Sequence, residues 1–195
     1  MTVTVKMITE LREKTGAGMM DCKKALTESN GDMEKAIAYL RTKGLADIQG
    51  RSNKTASDGT IGYYIHAGGR IGVMVEINCE TDFASRNEDF QQFAKDVAMH
   101  IAAMSPQWIS RDDVPQGVID KEKEIAATGM ENKPPKVLEN IVNGKLNKFF
   151  KTVCLLEQPF VKDQDIPVQD LLGELASKIR ENIVIKRFTR YELGM

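Results

Sequence analysis

The first residues that suggest chemistry are two closely spaced glycines, Gly16 and Gly18, followed by Lys23 and Lys24. Glycines at this spacing let backbone amides approach a pyrophosphate. However, a dinucleotide fingerprint needs three glycines after a strand, and a P-loop needs the pattern GxxxxGK[ST]. The preceding segment has a helical pattern and the lysines fit neither spacing. We therefore interpret the glycines as a helix terminator.

Histidine and cysteine are the next candidates for catalysis or metal binding. We expect His66 to be exposed at the end of a hairpin and His100 to be packed beside an apolar helix face. A thiol nucleophile at Cys79 with His66 as its base has no supporting signature, so Cys79 is interpreted as a small buried residue. Cys22, Cys79 and Cys154 form no CxxC pair, which argues against zinc and redox sites. We predict no catalytic residue, metal or cofactor.

The composition is that of an ordinary globular chain. It has 195 residues, 42% of them hydrophobic, and a formal net charge of -1. Without a broad positive field, direct nucleic acid binding is not expected. The N-terminus soon becomes charged, and no segment approaches the roughly 20 apolar residues of a membrane span. We therefore predict a cytoplasmic protein that neither enters a membrane nor is secreted.

The elements that would position any site begin with three short helices in residues 1–48. The first carries an apolar stripe and ends at 15–18, the second covers about 19–29, and the third begins after Asp32 and ends at or near Gly44. Helices with one apolar face each are unstable singly, so they should pack into a bundle of about 45 residues.

The rest of the chain mixes strands and helices. Residues 49–58 are polar and predict a linker, and residues 59–195 predict a core domain. Strands between helices, after a helical N-terminus, predict the α+β class with antiparallel strands and a protruding helical hairpin. The predicted core elements are strands over 61–66 and 71–77, a helix over 90–104, a helical hairpin within about 116–150, a strand over 152–160, a helix over 168–180 and a strand over 183–191.

Several segments carry a resemblance to a known family. Residues 11–28, LREKTGAGMMDCKKALTE, strongly resemble the N-terminal module of elongation factor Ts. Further segments similar to that family are NGD at 30–32, VEINCETDF at 75–83, NGKL at 143–146 and LLEQPFV at 155–161. The resemblance therefore covers nearly the whole chain.

The resemblance implies a guanine-nucleotide exchange factor for elongation factor Tu. Such a factor binds Tu carrying GDP, speeds GDP release and lets GTP enter. The N-terminal module would be similar to a ubiquitin-associated (UBA-like) domain and contact the nucleotide-binding domain of Tu, while the core contacts that domain and a second one. The length resembles the compact family members with a single core module, which act as homodimers. The alternative to a homodimer is a single chain that covers the edges of its own sheet.

The resemblance also implies positions that contact Tu. On matching positions these are Arg12, Met19, Met20, Lys23 and His66. Because paired methionines straddle two helix faces, we expect one to pack inside and the other to offer a flexible apolar contact. Lys23 would add electrostatic steering or be simply solvated.

A second implied site is the segment Thr81, Asp82, Phe83, Ala84, similar to the family motif Thr-Asp-Phe-Val that is associated with disturbing the magnesium site of Tu. Ala84 replaces the usual valine. Phe83 would project from a strand-to-helix junction as a wedge, and Asp82 would hydrogen-bond backbone or repel an anion. The residue pattern alone instead favours Asp82 as a helix N-cap and Phe83 in the core.

A different functional class stays open on the sequence. The chain would then be a non-catalytic adaptor whose N-terminal bundle binds peptides or nascent chains, with the core serving to dimerise. An exchange factor is distinguished from an adaptor because its hold on Tu depends on the bound nucleotide.

Overall fold

Periodic apolar residues divide the chain into a helical N-terminal part and a mixed core. A computed structural model describes residues 3–51, 54–130 and 133–194, with side chains for all of these except 44–51. The helices are α1 (Val5–Thr15), α2 (Met19–Glu28), α3 (Met33–Arg51), α4 (Asp82–Ser85), α5 (Glu88–Met104), α6 (Gln116–Ala127), α7 (Pro135–Val153) and α8 (Val168–Ile179). The strands are β1 (Asp58–Ile65), β2 (Ile71–Cys79), β3 (Pro159–Phe160), β4 (Asp163–Pro167) and β5 (Val184–Glu192). The predicted α+β class is confirmed.

The three N-terminal helices form around a small apolar cluster. Helix α1 begins where the Thr4 hydroxyl accepts a hydrogen bond from the Met7 amide at 3.4 Å. It ends at Gly16, which is left-handed at φ 67° and donates its N–H to the Arg12 carbonyl. This confirms the interpretation of Gly16 as a helix terminator. The residues buried between the helices are Ile8, Leu11, Ala17, Cys22, Ala25, Leu26 and Ala36.

The prediction that the third helix ends at or near Gly44 is wrong, since the helix continues for seven more residues. Helix α3 continues through this glycine to Arg51. A glycine inside a helix costs only about 1 kcal/mol relative to alanine, so a single glycine does not by itself end a helix. The predicted linker over 49–58 therefore overlaps the end of α3 and the first residue of β1. Residues 54–57 form neither helix nor strand, and residues 52 and 53 lie outside the described part.

The core is an antiparallel sheet covered by helix on one face. Strand β2 lies in the centre of the order β1-β2-β5, and Asp58 pairs with Cys79 at one end of the β1-β2 hairpin. Alternate β2 residues are buried beneath α5, whose apolar stripe faces the sheet. The predicted hairpin and covering helix are both confirmed. The residues that make this contact are Val73, Val75, Ile77, Cys79, Phe90, Phe93, Ala94, Val97 and Ile101.

The strand predicted over 152–160 is wrong for most of its length. Helix α7 runs to Val153, a 3-10 turn covers Leu155–Glu157, and only Pro159–Phe160 pairs as a strand, with β4. Only residues 153–156 are continuously apolar, and an apolar run this short suits a buried helix end as well as a strand. Strand β4, which is mostly exposed and polar, was not predicted.

Helices α6 and α7 form the predicted helical hairpin. Val118, near the start of α6, belongs to the same cluster as Phe150, near the end of α7, so the helices run antiparallel. The Arg111 guanidinium lies 4.6 Å from the centre of the Phe150 ring and pairs with Glu157, which fixes the hairpin to the core. Among the described residues, no helix has the length and apolar character needed to cross a bilayer.

His100 is a fully buried polar side chain on α5. The Val161 amide donates to its Nδ1 at 3.2 Å, so Nε2 carries the proton and donates to Gln158 Oε1 at 3.0 Å. Burial lowers the pKa of His100 below its ordinary value of 6.5, against a smaller raising effect of the Gln158 hydrogen bond. The prediction of a packed histidine is confirmed.

This geometry predicts a loss of stability in acid. Because the unfolded imidazole takes up a proton near pH 6.5 and the folded one only at lower pH, the free energy of unfolding should fall as pH drops below about 6.5. Melting temperatures measured from about pH 7.5 to about 5 should therefore decline more steeply in the parent than in His100→Asn. His66→Asn, which alters an exposed imidazole, should follow the parent. Equal slopes for the parent and His100→Asn would contradict the assignment.

Candidate functional site

The junction between β2 and α4 presents an aromatic ring to solvent. The Thr81 hydroxyl caps α4 by accepting a hydrogen bond from the Ala84 amide at 3.3 Å. Phe83 is 82% exposed, whereas Ala84 and Ser85 are buried against the core. The interpretation of Phe83 as a core residue is therefore wrong, and the N-cap is Thr81 in place of Asp82. The ring projects from a turn whose other side is anchored in the core.

The two residues next to Phe83 differ in environment: Asp82 is near solvent and Ala84 is buried. The Asp82 carboxylate lies 3.1 Å from the Arg86 guanidinium, in an exposed i,i+4 ion pair that contributes at most about 1 kcal/mol. Ala84 contributes its methyl group to the main core. A change of side-chain size at this position would therefore act on the packing beneath the turn.

Glu181 holds the start of this turn from 100 residues away. Its carboxylate accepts hydrogen bonds from the Glu80 amide and the Thr81 amide, both at 3.0 Å, and from the Thr81 hydroxyl at 2.6 Å. In return, Glu80 accepts from the Asn182 amide at 2.7 Å and pairs with Lys54 at 3.0 Å. We call this crossed arrangement of Glu80, Thr81, Glu181 and Asn182 the clasp. Sequence reasoning missed it because no local pattern connects its two halves.

The N-terminal positions implied by the resemblance lie on α1 and α2. All four are exposed: Arg12, Met19, Met20 and Lys23. Met19 is 47% and Met20 73% exposed, so the expectation that one methionine packs inside is wrong. Both precede Cys22, the first α2 residue of the buried cluster, and lie in the first turn of the helix. The result is an apolar contact surface with flexible side chains.

Ion pairs connect the N-terminal helices to α8. Arg41 pairs with Glu174 at 2.9 Å, and Arg180, the left-handed residue that ends α8, lies 3.3 Å from Asp21. A side chain at Gly18 would place its Cβ 2.5 Å from the Arg180 guanidinium, so the flexible end of Arg180 would have to move. A cleft of about 710 Å³ lies along this contact. Met20 lines this cleft together with Arg180, which directly precedes the clasp residue Glu181.

His66 lies at the other end of the β1-β2 hairpin and is exposed, as predicted. His66 lies opposite Ile71, and at about 3.4 Å per residue the length of β2 separates it from Cys79 by about 27 Å. Burial, with the nearby charge of Glu181, raises the pKa of Cys79 to about 11. A Cys79–His66 nucleophile pair is therefore excluded by distance and by protonation state. Within the described ranges, no group of three or more His, Cys, Asp or Glu side chains could hold a metal ion.

Comparison with known proteins gives a consistent match over the chain. The sequence model of the family described as Elongation factor TS matches residues 3–195. Elongation factor Ts of Carboxydothermus hydrogenoformans is 59% identical over 194 residues, covering 98% of this chain and 89% of that protein. The corresponding protein of Syntrophus aciditrophicus is 54% identical over 196 residues, covering 100% of this chain and 98% of its own.

The exposure of Phe83 predicts that its ring contributes little to stability. Phe83→Ala should change the free energy of unfolding by less than about 0.5 kcal/mol, as expected for a surface position. Phe90→Ala, which removes a fully buried ring on α5, should lower it by about 3–5 kcal/mol. Urea unfolding of the two variants measures both values. A loss at Phe83 comparable to that at Phe90 would mean that the ring is packed in the folded protein.

Proposed function

The chain belongs to the elongation factor Ts family, and we propose that it is a guanine-nucleotide exchange factor in translation elongation. It binds elongation factor Tu carrying GDP in the cytoplasm, promotes GDP release and leaves Tu ready to accept GTP. It does so without covalent chemistry of its own. The observation that carries this proposal is the exposed Phe83 ring on a junction that is fixed on both sides.

Phe83 is suited to act as a wedge. An exposed phenylalanine gains about 1.5–3 kcal/mol when a partner buries it fully, and rigid aromatic side chains are common anchors of interfaces. The hydrogen bonds of the clasp and the buried Ala84 hold the turn, so little conformational entropy is lost when the ring binds. In the proposed complex the segment Thr81–Ala84 displaces Tu side chains near the magnesium ion.

The exchange factor does not need to touch GDP. A P-loop GTPase holds its nucleotide through backbone amides, a lysine and a magnesium ion that bridges phosphate oxygens. A wedge that disturbs the surroundings of this ion binds nucleotide-free Tu more tightly than Tu with GDP. By linkage, GDP and the exchange factor then weaken each other's binding by the same factor.

The other predicted contact residues would bind Tu at positions away from Phe83. On the N-terminal helices, Met19 and Met20 supply exposed apolar contact, and Arg12 and Lys23 supply charge at its rim. We assign these to the nucleotide-binding domain of Tu. His66, about 27 Å from the end of β2 that leads to Phe83, is assigned to the contact between the core and a second Tu domain, as the resemblance implies.

The outer face of the sheet supports a homodimer. Tyr63 pairs with Met74 and Ile65 with Gly72, and the side chains on this face point away from α5. The exposed apolar residues on the sheet face opposite α5 form one patch across the three strands: Ile61, Tyr63, Ile65, Met74 and Tyr191. A second copy, rotated by a two-fold axis, would cover the patch with the same residues.

The proposed wedge predicts a slow Phe83→Ala variant. Loss of the ring should reduce the rate of GDP release from Tu about ten-fold to hundred-fold, because its binding energy is gained only as the nucleotide site opens. Stopped-flow fluorescence with a labelled GDP on Tu measures the rate. The matched control is Ile125→Ala, which shortens a side chain that is 56% exposed on α6 and should leave the rate unchanged.

An unaltered rate in Phe83→Ala would overturn the wedge. A pull-down separates the proposal from an adaptor function: immobilised protein should retain nucleotide-free Tu and release it when GDP is added. Retention that does not depend on GDP would favour an adaptor.

The proposed dimer predicts that a charge on the outer sheet face separates the copies. Met74→Lys places an ammonium group in the centre of the apolar patch, where burial without a partner is costly. Light scattering after size-exclusion chromatography should show a dimer for the parent and a monomer for this variant. Ile125→Lys alters a residue with the same 56% exposure elsewhere and should remain dimeric. A dimeric Met74→Lys would place the contact on another surface.

A further inference from the structure

The short helix that carries Phe83 depends on contacts with the rest of the protein for its conformation. Helix α4 has four residues, fewer than an isolated helix needs to be stable in water. On its C-terminal side, the Gln91 side-chain Nε2 donates to the Ser85 carbonyl at 2.6 Å, and Ala84 is buried. On its N-terminal side, the contacts that hold it come from the clasp. The direction of the Phe83 ring therefore depends on a residue distant in sequence.

Glu181 orients the capping hydroxyl as well as the backbone. The Thr81 hydroxyl donates its single proton to Glu181 Oε1. Its lone pairs are then free to accept the Ala84 amide hydrogen, which starts the helix just before Phe83. The other carboxylate oxygen binds the Glu80 and Thr81 amides. A carboxylate is suited to this position because it accepts only and its charge strengthens all three bonds.

The position of Glu181 is fixed by the end of α8. Arg180 has left-handed backbone angles, φ 65° and ψ 32°, and its amide donates to the Ala176 carbonyl. This conformation is unfavourable for a residue with a side chain. It turns the chain so that the next residue reaches the β2-α4 junction. The clasp thus receives its geometry from α8, which packs in the main core.

We propose that Glu181 is a positioning residue for nucleotide exchange, which fixes the direction in which Phe83 is presented to the GTPase. It acts through Phe83 and does not itself enter the nucleotide site. This inference rests on the proposed function, since it assigns a role within the same exchange reaction. Removing the carboxylate leaves the ring present and exposed, but releases the turn that aims it.

The first test compares two substitutions of Glu181. Glu181→Ala should lower the rate of labelled-GDP release from Tu at saturating factor by about ten-fold or more, since small misplacements of a positioned group have effects of this size. Glu181→Gln should stay within about three-fold of the parent, because its amide oxygen accepts from the backbone amides and its nitrogen can donate to the Thr81 hydroxyl. Amide hydrogen exchange at Thr81 and Ala84 should be faster in the alanine variant alone.

A double-mutant cycle separates positioning from general loss of stability. In a Phe83→Ala background, Glu181→Ala should produce no further decrease, because both act through the same ring. The stability control is Glu157→Ala, which removes another hydrogen-bonded carboxylate, the partner of Arg111. It should lower the melting temperature without lowering the exchange rate. If Glu181→Ala does not fold, Thr81→Val removes the hydroxyl, and with it both the link to Glu181 and the bond that the Ala84 amide donates, and should show the same rate loss.

The outcomes are distinguishable. A slow Phe83→Ala with a normal Glu181→Ala, or with a normal Thr81→Val if the former does not fold, overturns the positioning role and leaves the proposed function intact. Independent, multiplicative losses in the double variant also overturn it, since Glu181 would then act elsewhere. A normal rate in Phe83→Ala overturns both the wedge and the positioning role. Slow single variants, a double variant no slower than Phe83→Ala and rescue by glutamine together support the inference.

Discussion

The alternation of side chains along β2 is the constraint on which the rest of the fold depends. Because β2 is the central strand, its register with β1 and β5 is fixed on both sides, and a shift by one residue would expose Val73, Val75 and Ile77 together. This fixes where the strand ends. It therefore also fixes where the chain leaves the sheet and the position of Phe83 relative to the end of β2.

The strand sets the position of the turn, and the clasp sets its orientation. Burial of apolar residues is non-directional and sets the depth of the turn, whereas hydrogen bonds set its orientation. The Glu181 carboxylate supplies that orientation across the gap between the ends of β2 and α8. The division of roles agrees with the usual architecture of functional sites, in which an exposed group is aimed by a second layer of polar contacts on rigid elements.

Local patterns predicted the elements of the fold better than the contacts between them. Helix α5 and the β1-β2 hairpin carry clear periodicities, and their predicted positions agree with the structure. The segment 152–160 has its apolar residues mainly in the short run 153–156, and periodicity does not distinguish a helix end from a strand over so few residues. Phe83 lay outside the core although its type favours burial. Glu181 could not be found, since its partners are adjacent only after the sheet and α8 have packed.

The contact between the N-terminal helices and α8 has a mechanical consequence. Apolar surfaces that interdigitate resist sliding, but paired charges such as Asp21–Arg180 and Arg41–Glu174 can re-form at slightly different angles. Contacts of this polar kind commonly permit rotation between units. We therefore expect the angle between the three-helix module and the core to change more easily than the packing inside the core.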